Sequence, residues 1–257
     1  MVKQFSIMTI KTAIYGAALL LGAACASCVT INANAKSIKC SGRSTEKTFS
    51  TSDFSGVTTR SSIDIVYAQG ARSVKVSAPA NVMPYIEAKV KSGTLTVEFT
   101  DNVSITGDCR IVAYVSSPDI KEFCTQGSGD IVCKGELSLS HDLSLLTQGS
   151  GDIDLRTVSC TSLSALTQGS GDIEVGGASC RKSAGLTTQG SGDIEVKRID
   201  TPALKAMSQG SGDISVGGRC DSADLLTQGS GDVEARGLKT GNLSISEQGS
   251  GDIYVNR

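Results

Sequence analysis

The pentapeptide Gln-Gly-Ser-Gly-Asp, each time followed by Ile or Val, starts at Gln126, Gln148, Gln168, Gln189, Gln209, Gln228 and Gln248. The carboxylates it repeats are Asp130, Asp152, Asp172, Asp193, Asp213, Asp232 and Asp252. Stacked repeats would set them in one column, where neighbours about 4.8 Å apart repel by roughly 1 kcal/mol each in a water-like dielectric. Two arrangements offset that repulsion. In the structural one, Asp accepts hydrogen bonds from turn amides, and Lys134, Arg156, Lys197 and Arg236 add positive charge on the same face. In the other, a cation such as Ca²⁺ sits between carboxylates and main-chain carbonyls, although the Gly/Asp spacing differs from that of the nonapeptide calcium repeats of β-rolls. The amides and hydroxyls of Gln148, Ser150, Gln168, Ser170, Gln189, Ser191, Gln209 and Ser211 would form a regular polar strip. Such a strip could bind a glycan or another protein, or simply face water.

Catalysis is poorly supported. The Ser of Gly-Ser-Gly has no His or Lys base at a fixed offset, and the single His, His141, lies between the first two motifs. A carbohydrate-active β-helix enzyme would place unique acids on one face, whereas these acids recur with the repeat. The expectation is a non-enzymatic binding module without a cofactor. The alternatives are a carbohydrate-active enzyme, or a structural spacer that pairs through an open C-terminal coil.

The elements that would position these residues follow from the flanks. The motifs recur every 19 to 22 residues. Before each Gln, apolar residues alternate, as in Leu143/Leu145, Leu163/Ala165 and Ala184/Leu186; after each Asp they alternate again, as in Ile153/Leu155 and Ile173/Val175. Period two on both sides means strands, and no sustained helical period competes. A third short strand is expected after turns such as Gly176-Gly177 and Gly217-Gly218. Three short strands in about 20 residues make one coil of a solenoid. The fold class expected is all-β: a right-handed parallel β-helix with seven motif coils over residues 119–257. Parity turns the two glycines of each motif inward and Gln, Ser and Asp outward. Glu247 breaks the column of Thr147, Thr167, Thr188, Ser208 and Thr227, which would blunt the C-terminal end.

Residues 1–35 read as an export signal. Lys3 and Lys11 precede the apolar run Ala13–Ala24, which is shorter than the roughly 20 residues that span a bilayer. Cleavage could fall after Ala33-Asn34-Ala35 or Ala24-Cys25-Ala26, or Cys25 or Cys28 could be lipidated. The expected location is therefore the periplasm, an outer-membrane anchor or the cell surface. Export makes disulfides possible. Cys160 and Cys180 occupy equivalent places in neighbouring coils and could pair or remain buried thiols; Cys124 and Cys133 could also meet. A net charge of −2 without a basic stripe argues against nucleic acid.

Residues 36–118 are expected to form an N-terminal β region; residues 49–123 alternate without the motif and contain Phe49, Phe54, Tyr67, Tyr85, Phe99, Tyr114 and Phe123. They form either irregular first coils or a cap over the solenoid's N-terminal edge. The order Phe54-Ser55-Gly56-Val57, Ile63-Asp64-Ile65, Val74-Lys75-Val76, Met83-Pro84-Tyr85-Ile86, Gly93-Thr94-Leu95-Thr96-Val97, then the Gly-Ser-Gly-Asp repeats, resembles the head GIN domain of auto-transporter adhesins over about residues 45–257. That resemblance implies a β-helical, Gram-negative envelope protein of adhesive type and brings no established catalytic residues. No membrane barrel follows the repeats here, so self-transport is not expected.

Overall fold

Alternating side chains can bury one face only if each coil lies on the next, and the strands pair accordingly. In the computed structural model, which describes residues 35–256, Leu143–Thr147 lies parallel and in register on Leu163 to Thr167. The row continues from Leu163 to Ala184, Leu204, Ala223 and Leu243. A second row runs through Ile131, Ile153, Ile173, Ile194, Ile214, Val233 and Ile253. A third row stacks Val158, Ala178, Ile199, Gly218 and Leu238; in Ile153–Thr167, Ile194–Ser208 and Ile214–Thr227 it lies within one unbroken strand rather than on the separate short strand expected. The repeat is thus a parallel β-solenoid, and its three inward rows form one apolar column. Fully burying a Leu, Ile or Val side chain is worth about 1.5–3 kcal/mol. No single coil could do so alone.

The apolar run Ala13–Ala24, both cleavage sites, Cys25 and Cys28 involve residues outside those described. The region before the repeats is both irregular coil and cap. Gly56–Thr59 and Asp64–Gln69 form a coil directly beneath the first motif coil, paired with Glu122–Thr125 and Ile131–Ser138. The next stretch of chain does not continue upward. Thr94–Phe99 and Val112–Ser117 stack on the outer side of that same coil, so residues 56–69 lie between a later segment and the repeats. Antiparallel strands then close the end: Ser73–Pro79 on Val112–Ser117, Ser44–Thr48 on Ser73–Pro79, and Ile86–Lys91 on Thr94–Phe99. Antiparallel strands spoil the parallel register that another chain would need to add on.

Lys36–Lys39 pairs with Val103–Thr106, and a disulfide joins Cys40 to Cys109 beside that pair. This disulfide, rather than the pairs weighed from the sequence, is the one formed among the described residues. Cys160 and Cys180 are in register and buried, with sulfurs 3.8 Å apart as thiols. Cys124 and Cys133 are buried and not joined to each other. Core and cap share one apolar cluster, within which Tyr67 meets Phe123 edge-on at 4.9 Å. The boundary near residue 118 is therefore a change of topology within a continuous column.

Candidate functional site

Each motif makes a corner between two strands, and three side-chain ladders climb it. The first is the carboxylate ladder. The amide of Asp152 donates to Asp130 Oδ1 at 3.0 Å, Asp172 to Asp152 at 2.8 Å, and Asp193 to Asp172 at 2.8 Å. The pattern continues through Asp213, Asp232 and Asp252. Every Asp also lends its own carbonyl to the coil before it: Ile153 N–H donates to Asp172 O, and Ile173 N–H to Asp193 O. The structural role expected for the aspartates is therefore what the geometry contains, with the amide donor coming from the next coil.

Two of the four positive charges expected to offset the aspartates, Lys197 and Arg236, serve elsewhere. Lys197 pairs with Glu174 and Glu195, and Arg236 pairs with Glu234. These glutamates stand one outward position beyond the aspartates and draw the long basic side chains to themselves. Burial at the corner pushes the Asp152 carboxyl above its ordinary pKa; the amide of Asp172 works against this, and the charges of Asp130 and Asp172 add to it. The acids line a shallow groove of about 460 Å³ that includes Asp193, Asp213, Glu195, Glu234 and Tyr254. Among the described residues, no three metal-ligating side chains converge to hold an ion.

The second ladder is of amides. Gln148 Nε2 donates to Gln168 Oε1 at 2.9 Å, Gln168 to Gln189 at 3.0 Å, Gln189 to Gln209 at 3.1 Å and Gln209 to Gln228 at 2.9 Å. Ser150, Ser170, Ser191 and Ser211 are exposed beside them. The polar strip is thus outward, as parity requires, and its Gln side chains are already ordered by one another. Stacked in-register amides behave this way in cross-β assemblies.

The third ladder is internal. Thr147, Thr167, Thr188 and Thr227 are fully buried, and each donates its hydroxyl to the second motif glycine of the next coil, as Thr167 does to Gly192 O at 2.9 Å. Ser208 bonds Gly212 O of its own coil at 2.9 Å. The second glycine of each motif is buried, whereas the first is half-buried in six motifs and exposed at Gly249, so only one of the pair expected inside is fully so. Both are needed for close approach. A Cβ on Gly169 would lie 2.1 Å from Gly149 O, and one on Gly171 2.2 Å from Gly151 O.

The stack has an eighth rung that its sequence disguises. Thr59-Arg60-Ser61-Ser62-Ile63-Asp64-Ile65 takes the same corner: Asp130 N–H donates to Asp64 Oδ1 at 3.2 Å, and Arg60 Nε donates to Gln126 Oε1 at 2.8 Å. Only Thr, Ser, Asp and Ile survive from the motif, at its spacing. That spacing is the signal that could have found it.

His141 stands apart from the ladders, between Asp119 and the carbonyl of Asp142. The Asp142 carbonyl first, and then the Asp119 carboxylate, raise its pKa above the ordinary histidine value. A raised folded value means that the contribution to stability is complete below the unfolded pKa of about 6.5 and is lost as the pH rises through the folded value. His141→Gln should therefore flatten the melting temperature between pH 5 and pH 8. An unchanged pH slope would show that the pair contributes nothing.

Fold and corner together define a capped parallel β-solenoid whose recurring polar residues are organised along the stack rather than gathered at one point. The family model described as "Putative auto-transporter adhesin, head GIN domain" matches residues 53–184 and 179–257, and the chain belongs to that family. Among solved structures, a putative adhesin from Bacteroides fragilis NCTC 9343 is similar at 23% identity and TM-score 0.78, over 85% of this chain and 100% of that one. A putative adhesin from Parabacteroides distasonis ATCC 8503 matches at 18% identity and TM-score 0.71, over 85% and 100%. A putative lipid binding protein from the same organism matches at 22% identity and TM-score 0.65, over 86% and 100%. At these identities the likeness is one of fold. No curated protein sequence matches the chain. Among the described residues, no helix is long and apolar enough to cross a membrane.

Proposed function

We propose that the chain is an exported cell-envelope module that binds a glycan or protein surface along its polar strip, without catalysis and without a cofactor. The observation that carries this reading is the Gln ladder with its flanking serines. It is a straight outward row whose amides are held by neighbouring coils, so binding would cost little further ordering of side chains. Export is supported by the Cys40–Cys109 disulfide, a bond suited to oxidising compartments. The non-catalytic reading is supported by the aspartates: Asp130, Asp152, Asp172, Asp193, Asp213 and Asp232 each accept the amide of the next coil rather than stand against a unique partner. Calcium and chelator should leave the melting curve unchanged.

The test is retention of the protein on a glycan array and on bacterial and host polysaccharides, with the double variant Gln168→Lys, Gln189→Lys as comparison. Saturable binding of wild type that falls at least about tenfold in the variant is expected. Binding that the variant retains in full would remove the strip from the function. Release of reducing ends from any polysaccharide would replace the reading by a carbohydrate-active enzyme.

A further inference from the structure

In each motif coil that has a successor, the amide of the first apolar residue after the motif is taken by the next coil: Ile131 by Asp152 O, Ile194 by Asp213 O, Val233 by Asp252 O. Ile253 differs. Its N–H donates to Glu247 Oε1 of the same coil at 3.1 Å. Glu247 stands in the column of Thr147, Thr167, Thr188, Ser208 and Thr227, where a threonine hydroxyl reaches forward to the next coil. A side chain that needs a successor has been exchanged for one that folds back and occupies the edge.

The same coil exposes what its predecessors bury. Leu243 and Ile245 are 43% and 44% exposed, whereas Ala223 and Leu225 in the same rows are 4% and 0%. Among the described residues nothing covers this row, and an uncovered apolar row on a strand edge invites another strand. The occupant that fits is a second copy of this chain. The other end of the solenoid is covered by antiparallel strands, with Ser44–Thr48 exposed throughout, and offers no matching row. Two copies would therefore meet C-terminal coil to C-terminal coil, Leu243 and Ile245 against the same residues of the second copy, the self-complementary geometry of a two-fold contact.

We propose that Glu247 is an edge guard that holds this pairing off. By binding Ile253 N–H it fills a donor that an incoming strand would need. Pairing would also force two carboxylates out of water beside an apolar row. Other bonds hold the guarded strand in place: Tyr254 donates to Asp252 Oδ2 at 3.2 Å, Arg236 lies 4.5 Å over the Tyr254 ring, and Asn256 bonds the Arg236 carbonyl.

Sedimentation equilibrium of the full chain tests this. Wild type should remain monomeric, while Glu247→Thr and Glu247→Ser should associate at least about tenfold more tightly. Both replacements are residue types the column already accommodates, so folding, followed by circular dichroism and melting, should persist in at least one. Adding Leu243→Lys should return the variant to monomer. Glu247→Gln keeps an acceptor for Ile253 and should associate less than Glu247→Thr. The inference fails if a folded Glu247→Thr or Glu247→Ser protein stays monomeric. It fails equally if wild type already pairs, if Leu243→Lys leaves association intact, or if Glu247→Gln associates as strongly as Glu247→Thr.

Discussion

Gly171→Ala should cost at least about 3 kcal/mol of folding stability in urea denaturation, while Gly185→Ala costs nothing measurable. A Cβ on Gly171 would lie 2.2 Å from the Gly151 carbonyl oxygen and 2.9 Å from its carbon; a Cβ on Gly185 meets nothing within 4 Å. The obstacle at Gly171 is backbone. It is also fixed, because Gly149 O in the same coil already receives Ser170 N–H at 2.9 Å and Gly171 N–H at 3.2 Å. Relief would require moving one coil off the next, which opens the ladders at that corner and the apolar column behind it. A solenoid's stability is close to a sum of nearest-neighbour interfaces, so one damaged interface should also broaden the transition as the two halves unfold separately. Gly185 faces outward in mid-strand, where alanine narrows the unfolded ensemble and could add a few tenths of a kcal/mol. Equal stabilities for the two variants would show that the motif glycines are not required for close stacking.

The triple substitution of Asp152, Asp172 and Asp193 should separate charge from hydrogen bonding. Changed together to Ala, they leave the amides of Asp172, Asp193 and Asp213 without the carboxylate acceptors seen at 2.7 to 2.8 Å. At about 1–2 kcal/mol for each charge-assisted bond, the triple Ala variant should lose about 4 kcal/mol, less whatever water restores. Changed together to Asn, the carbonyl oxygens can still accept, and the column loses its mutual repulsion, so stability should equal or exceed that of wild type. The pKa of Asp152 points the same way. Because burial and its like-charged neighbours raise it in the folded state, its ionised form is disfavoured there, and its contribution to stability grows as the pH falls through the raised value. Melting curves at pH 7 and low salt are the measurement. If the Asn variant lost as much as the Ala variant, the carboxylate charge itself would be holding the corner, and a bound cation would become the explanation to pursue.

Much of this was legible in the residues. Alternation at Leu143/Leu145 and Ile153/Leu155 determined strands, and seven near-equal spacings determined that equivalent residues share a row. Parity placed Gln168, Ser170 and Asp172 outward. The reading was weaker where a contact depends on the coil beneath. The motif glycines could be assigned to a corner, yet the reason they must be glycine is a carbonyl one coil away. None of them has a positive φ, so conformational freedom is not what selects them. Asp64 went unnoticed as a rung because Ser61 and Ile63 replace the two glycines. Ile63 fits there because the outer coil leaves the corner between Val97 and Val112 and has no motif glycine below it.

By itself, then, the sequence determined the repeating unit, its strand periodicity and the inside-outside alternation along its strands, because those properties belong to a single coil. Tertiary structure decided everything that joins one coil to another or departs from simple succession. It chose the amides that the aspartates receive, the placing of residues 56–69 between a later coil and the repeats, the joining of Cys40 to Cys109, and the turning of Glu247 onto Ile253. The physical reason is that side-chain alternation is written locally along the strand. A partner one coil away is chosen only when the stack brings two distant backbones to hydrogen-bonding distance.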